Sequence, residues 1–227
     1  MDIGVTFGIV MRLLRREGAV GTAWKAARYL LRREFPPDPF DVVHGTNTGG
    51  IVPPWNLGAL GINARFAVEY AASPPDELME AVAFTGVLPE HTTFVDLGCG
   101  KGRALIVAAR LGFDRVIGVD FSPELAAIAR ANLDRLGITN ASVFLSDAFH
   151  YSFPEDDFVL YMFNPFSAEV MQAVLANLRM SSASAIYLIY KGPKCAGLLD
   201  RAEFLKPLGS PPGRSDVMVW TARRAEL

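Results

Sequence analysis

Three acids and three glycines hold the chemistry-bearing positions of this chain. Asp96 ends an apolar run, Phe94-Val95-Asp96, and Gly98, Gly100 and Gly102 follow at every second position. Asp120 stands at the end of a second apolar run, Gly118-Val119-Asp120, and Asp147 closes a third. A glycine turn between a strand and a helix exposes backbone N–H groups at the helix N-terminus and can hold a nucleotide-like ligand. Taken alone, Asp120 or Asp147 is an ordinary helix cap or turn acid. Behind such a turn, each becomes a candidate ligand contact.

Two loop chemistries are excluded by spacing. A dinucleotide site uses Gly-x-Gly-x-x-Gly, whose third glycine lets helix and strand pack closely. Counting from Gly98, that third place is Arg103, a large residue. The phosphate-cradling Gly-x-x-x-x-Gly-Lys-Ser/Thr pattern is absent as well.

The elements that must position these residues alternate. Strands are expected at 92–97, 115–120, 141–147, 158–164 and 183–191, helices at 102–111, 123–136 and 167–180, and a last β-like run at 216–221. Near-continuous apolar strands alternating with helices predict a doubly wound, mostly parallel sheet with helices on both faces. Ligand then belongs beyond the carboxyl ends of the strands, at a switch point.

Upstream, apolar residues at helical spacing predict two short amphipathic helices, 3–16 and 20–31. Phe35-Pro36-Pro37-Asp38-Pro39 ends them. His44-Gly45-Thr46-Asn47-Thr48-Gly49-Gly50 is rich in turn formers, a linker or a loop that covers a site. Ser73-Pro74-Pro75 precedes a helix from about Asp76 to Phe84, with Ser73 placed to cap it. The expected division is therefore 1–35, a basic helical appendage; 36–75, a linker and acceptor-site or lid segment; and 76–227, the ligand-binding domain.

Composition bounds the reading further. Hydrophobic residues make up 51% and charged ones 20% of 227 residues, as in one globular domain with a short appendage. Two cysteines, Cys99 and Cys195, are too few for a disulfide framework and fit a reducing cytoplasm. His44, His91 and His150 are scattered, so no metal site is expected. The apolar stretch at the start precedes its basic residues, unlike a secretory signal, and no window is long and apolar enough to span a bilayer. Net charge is −2, but residues 1–35 carry +4 and the remainder −6. An acidic catalytic region disfavours nucleic acid as a partner. The basic helices leave a membrane surface or an acidic partner open.

Asp96-Leu97-Gly98-Cys99-Gly100-Lys101-Gly102 resembles motif I of the class I S-adenosylmethionine-dependent methyltransferases. The resemblance implies a seven-stranded, Rossmann-like sheet with a final antiparallel strand, and S-adenosylmethionine as cofactor. It implies that Asp96, Gly98, Gly100 and Gly102 form the cofactor loop. Asp120 would take the ribose hydroxyls and Asp147 the adenine amino group, with Phe121 or Phe149 against the base. Phe163-Asn164-Pro165-Phe166 ends the fourth strand, where the family brings substrate and methyl donor together. Asn164, Pro165 and Phe166 are similar to the Asn-Pro-Pro-Tyr/Phe signature of enzymes that methylate nitrogen, with one proline fewer.

Methyl transfer needs alignment and a dry pocket more than a catalytic base. The Asn164 side-chain carbonyl and the Pro165 backbone carbonyl can accept N–H bonds from an amine and orient its lone pair. An amine of a small molecule or of a protein side chain is thus the expected acceptor. A hydroxyl or carboxyl acceptor is the alternative and would need a base such as His44 or His150. A cofactor-binding interaction protein without transferase activity is the third reading. Acceptor-site candidates before motif I and after the fourth strand are His44 to Gly50, with His44 and Asn47 foremost, Trp55-Asn56, Tyr70 and Lys191.

Overall fold

Strand β3 (Thr93–Leu97) is buried along its whole length, and the other elements are arranged around it. The computed structural model describes residues 37–52, 69–163 and 166–223. The amphipathic helices expected at 3–16 and 20–31 lie outside the described residues, as do Trp55, Asn56, Asn164 and Pro165.

In chain order the elements are α1 (Pro39–His44), β1 (Ile51–Val52), β2 (Tyr70–Ala71), α2 (Pro75–Thr85), β3, α3 (Arg103–Arg110), β4 (Arg115–Asp120), α4 (Pro123–Arg135) and β5 (Ala141–Leu145). They continue with β6 (Phe158–Phe163), α5 (Ala168–Arg179), β7 (Ala185–Lys191), α6 (Ala196–Leu199), β8 (Lys206–Gly209) and β9 (Val217–Arg223). Short 3-10 turns occupy Pro89–His91 and Ala148–His150. Among the described residues the main sheet has seven strands in the order β5-β4-β3-β6-β7-β9-β8. Strands β3 to β7 pair in parallel, while β9 runs antiparallel to both β7 and β8. The order reverses beside β3, with β4 on one side and β6 on the other, so the switch point lies at its carboxyl end.

The apolar strands have two faces to fill. Phe94, Val159 and Tyr161 face α2, α3 and α4; Val95, Leu160 and Met162 face α5 and α6. Consecutive strand side chains point to opposite faces, so covering both faces makes the run continuous instead of alternating. The sequence misses β8 because Lys206, Pro207 and Leu208 are exposed and pair only at the sheet edge.

Helix α2 starts at Pro75 without a side-chain cap. Ser73, expected to cap it, instead accepts a hydrogen bond at 3.0 Å from the buried Tyr161 hydroxyl. That bond satisfies a phenol which would otherwise be unpaired in the core. Among the described residues no helix is long and apolar enough to cross a membrane.

Candidate functional site

A cleft, partly open to solvent, lies at the carboxyl ends of β3, β4 and β6. Asp96 and Asp120 form its floor, and Gly98, Cys99 and Gly100 form its rim. Phe121, Phe163 and Phe166 provide apolar walls, and Glu69, Tyr70 and Ser73 close it from the chain segment before α2.

Asp120 is 4% exposed. Its two oxygens accept from the Gly100 N–H at 2.7 Å and the Ser122 N–H at 2.8 Å, which fastens the glycine loop to the end of β4. Burial pushes its carboxyl up to about 6, although the N–H groups of Ser122 and Gly100 favour the charged form. Asp96 is pushed well above the usual carboxylate range, by burial first and then by the charge of Asp120. The charge of Asp120 thus opposes ionisation of Asp96 within one buried floor.

Gly100 has φ +54°. A Cβ there would stand 2.1 Å from the Tyr70 ring, so only glycine lets the tyrosine lie flat on the loop. Gly102 does not line the cavity; it starts α3 at φ +84°, where a Cβ would meet Ala129 of α4 at 3.1 Å. The close helix packing that a dinucleotide loop obtains at its third glycine is obtained here one residue earlier.

The two cations of the loop turn away from the ligand space. Lys101 Nζ donates to the Gly49 carbonyl at 2.7 Å and the Asn47 side chain at 3.4 Å. Arg103 reaches the cavity wall, but its Nε donates to Thr48 Oγ1 at 2.8 Å and its Nη2 lies 2.8 Å from Asp38 Oδ1. The latter contact is an ion pair without hydrogen-bond alignment. Among the described lining residues Arg103 is the one cation, and it is already engaged by Asp38 and Thr48, so a pyrophosphate at this loop would meet Asp96, Asp120 and Glu69. A ligand with cationic centres and ribose hydroxyls suits the same donor set, so the residues present fit S-adenosylmethionine.

The remaining expected site residues are dispersed. Phe121 lines the cavity, whereas Phe149 packs on the α5 side of the core and gives its carbonyl to Asn177. Asp147 caps the 3-10 turn at the Phe149 N–H, 3.0 Å away, and is not among the lining residues. His44 lies against Phe40, with Arg110 Nη1 2.8 Å from its Nε2. Partial burial and the Arg110 charge lower its pKa. His150 is 86% exposed at its side chain, with Asp147 3.9 Å away. The Tyr70 hydroxyl donates to the Thr48 carbonyl at 2.6 Å, leaving its ring as the part that meets the ligand space. Lys191 is fixed between Glu77 and Asp216 and stands 5.2 Å from the Phe163 ring centroid, behind the wall. Burial opposes its charge, but the hydrogen bonds it donates to Asp216 and Glu77 win and raise its pKa.

Asp38 and Asp41 are not legible from the sequence as site residues, and Thr48, within the acceptor-site candidate segment His44 to Gly50, is not legible as a partner of Arg103. A segment with neither helical nor strand period shows that it is a loop, not where it lies. Arg103 was the available signal, because a bulky cation in a ligand loop needs a partner.

With this geometry in hand, comparison with known proteins is specific for one part of the chain. A family described as a methyltransferase domain matches residues 94–181. The ribosomal protein L11 methyltransferase of Dechloromonas aromatica is 50% identical over 50 residues, 22% of this chain and 17% of that protein. The L11 methyltransferase of Tolumonas auensis is 41% identical over 64 residues, 28% of this chain and 20% of the relative. The chain thus matches about a fifth of the length of these curated relatives. Among solved structures, the 23S rRNA methyltransferase ErmE superposes with a TM-score of 0.50 at 17% identity, covering 68% of this chain and 69% of its own. That likeness shows the fold.

One expectation is corrected by these findings. Nucleic acid was disfavoured from a net charge of −6 outside residues 1–35, yet the relatives and neighbours are named for ribosomal protein and rRNA methylation. A charge summed over a domain does not report the potential at one mouth, so it cannot reject a phosphate-bearing partner. Residues 94–181 match a methyltransferase-domain family, and the sheet that contains them has the fold of a methyltransferase of known structure.

Proposed function

We propose that this protein is an S-adenosylmethionine-dependent methyltransferase that acts on nitrogen. The observation that carries the cofactor half is the acid pair Asp96–Asp120 beneath a glycine loop whose own cations are drawn away by Asp38, Thr48 and Gly49. S-adenosylmethionine supplies a methyl group already activated by its sulfonium. The chain then has to align the acceptor and exclude water.

In this reading Asp120 accepts the ribose hydroxyls, and the N–H groups it now receives keep it oriented for them. Asp96, Gly98 and Gly100 surround the methionine end, and Phe121 faces the base. Asp147 closes the adenine end from the third strand, Phe149 supports that turn from the core side, and Gly102 sets the loop by its packing. Asn164 and Pro165 accept N–H bonds from the incoming amine, and Phe166 packs beside it. Residues 36–75 serve as the cover of the site, and 76–227 as its scaffold. His44, Asn47, Tyr70 and Lys191 shape that cover and the wall behind it.

The preference for nitrogen rests on the resemblance of Asn164, Pro165 and Phe166 to the nitrogen-methylating signature. A hydroxyl acceptor calls for a nearby base; His44, His91 and His150 do not line the cavity, whereas the carboxylates Glu69, Asp96 and Asp120 do. A cytoplasmic location belongs to the same proposal, since Cys99 is a buried free thiol within the loop.

Titration calorimetry with S-adenosylhomocysteine tests the cofactor half: micromolar binding is expected, and none would end the reading. Labelled methyl transfer from S-adenosylmethionine to ribosomal protein L11, to rRNA and to small amines then assigns the acceptor class. With an accepted substrate, Asn164→Ala should lower turnover about a hundredfold while leaving cofactor affinity within twofold. Unchanged turnover would reject nitrogen orientation by Asn164.

A further inference from the structure

The segment 38–50 is built around a single carboxylate. Asp41 Oδ1 accepts from Thr46 Oγ1 at 2.7 Å, from the Thr48 N–H at 2.7 Å and from Thr48 Oγ1 at 2.6 Å. Its Oδ2 accepts from the Gly49 N–H at 2.6 Å and lies 3.9 Å from Arg103 Nη2. Burial acts to raise the Asp41 carboxyl, but the hydrogen bonds from Thr48, Thr46 and Gly49 outweigh it and hold the group below the usual carboxylate range. A charge-assisted hub of this kind fixes the path of Thr46, Thr48 and Gly49, Thr48 being wholly buried.

Two of these residues, Thr48 and Gly49, hold the cavity wall and the glycine loop. The Thr48 carbonyl takes the Tyr70 hydroxyl, and the Tyr70 ring lies against Gly100. Thr48 Oγ1 takes Arg103 Nε at the start of α3. The Gly49 carbonyl takes Lys101 Nζ from within the glycine loop. Asn132 of α4 completes the frame by bonding both the Asn47 backbone and the Lys101 carbonyl. Asp41 itself is not among the lining residues.

We infer that Asp41 is a positioning residue for the cofactor loop, acting through Thr48 on Tyr70 and Arg103 and through Gly49 on Lys101. The inference rests on the cofactor reading above. It assigns part of the order of the glycine loop to a carboxylate 55 residues upstream of Asp96, beside the hold that Asp120 has on Gly100. Removing its charge loosens Gly100 and the Tyr70 ring together, so affinity for the cofactor falls by the amount typical of a supporting shell that orients direct ligands.

The test compares S-adenosylhomocysteine affinity with thermal stability in the full chain. Asp41→Asn should raise Kd about tenfold or more, because an amide nitrogen cannot accept from the Gly49 N–H. Thr48→Val should weaken binding about fivefold, and Thr48→Ser, which keeps the hydroxyl, should restore it to within about twofold of wild type. If Asp41→Asn does not fold, Tyr70→Phe carries the test: it keeps the ring, loses the Thr48 bond and should raise Kd about threefold. A lowered Tm with unchanged Kd, or equal affinity for Thr48→Ser and Thr48→Val, would overturn the inference. A wild-type chain that binds neither S-adenosylmethionine nor its product would overturn the cofactor reading and this inference with it.

Discussion

Arg103 and Lys191 make an instructive pair. Their side chains are 7% and 8% exposed, and each lies between two carboxylates at the carboxyl edge of the sheet. Arg103 starts α3 and is held by Asp38 and Asp41, which come from the segment before β1. Lys191 ends β7 and is held by Glu77 of α2 and by Asp216 just before β9. Arg214 extends the second cluster to Glu80. The partners of Arg103 also shape the segment that touches Gly100 and Lys101, so this latch reaches the cofactor loop. The partners of Lys191 join helix to sheet behind Phe163 and stop there. Two clusters of the same chemistry therefore have different consequences, one for ligand affinity and one for stability.

The largest effect is expected from Gly100→Ala. The new Cβ would overlap the Tyr70 ring at a φ that side chains rarely adopt, which costs about 1–3 kcal/mol in backbone strain alone. Cofactor affinity should fall about a hundredfold by calorimetry, whereas a tenfold or smaller loss would show that Tyr70 yields easily.

A pH series sharpens the same side of the comparison. Because Asp120 is raised to about 6, its carboxylate is fully available above that pH, and S-adenosylhomocysteine affinity should weaken by up to about tenfold per pH unit below it. The ligand-free fold responds in the opposite sense. Asp120 contributes most to stability below its unfolded value of 3.8, and this contribution is lost as pH rises through about 6. An Asp120→Asn protein should lack both dependences; one that keeps the binding profile would place the titration elsewhere.

For the second latch, Lys191→Met should lower Tm by about 3–6 °C, since it strands a partly buried Glu77. The exposure of Asp216, 55%, keeps the loss modest. Cofactor Kd should stay within about twofold, and a larger change would join the two latches into one. The smallest effect belongs to Arg115→Ala, which breaks an exposed pair with Asp156. It should change stability by less than about 0.5 kcal/mol in urea titration and leave affinity alone.

Much of this arrangement is legible in local pattern. The run from Phe94 to Leu111 carries a strand, a turn and a helix within one window, and the three glycines have no other economical explanation. Asp120 could be placed because it ends an apolar run, and strand ends meet at one edge of a parallel sheet. Ser73 and Phe149 show the limit. Each has a sound local role, as a cap and as a stacking surface, yet Tyr161 claims the one and the α5 side of the core takes the other. Local propensity proposes partners, and long-range packing selects among them.

By itself the sequence determined the alternating α/β order, the glycine loop and the acids at the ends of the first two parallel strands. Those features depend on periodicity and on neighbours within one supersecondary unit. Only the tertiary structure decided where Asp38, Asp41 and Thr48 belong and why Arg103 stands in place of a glycine. Its partners lie 55 to 65 residues away in the chain, and no local pattern encodes a hydrogen bond closed over that distance.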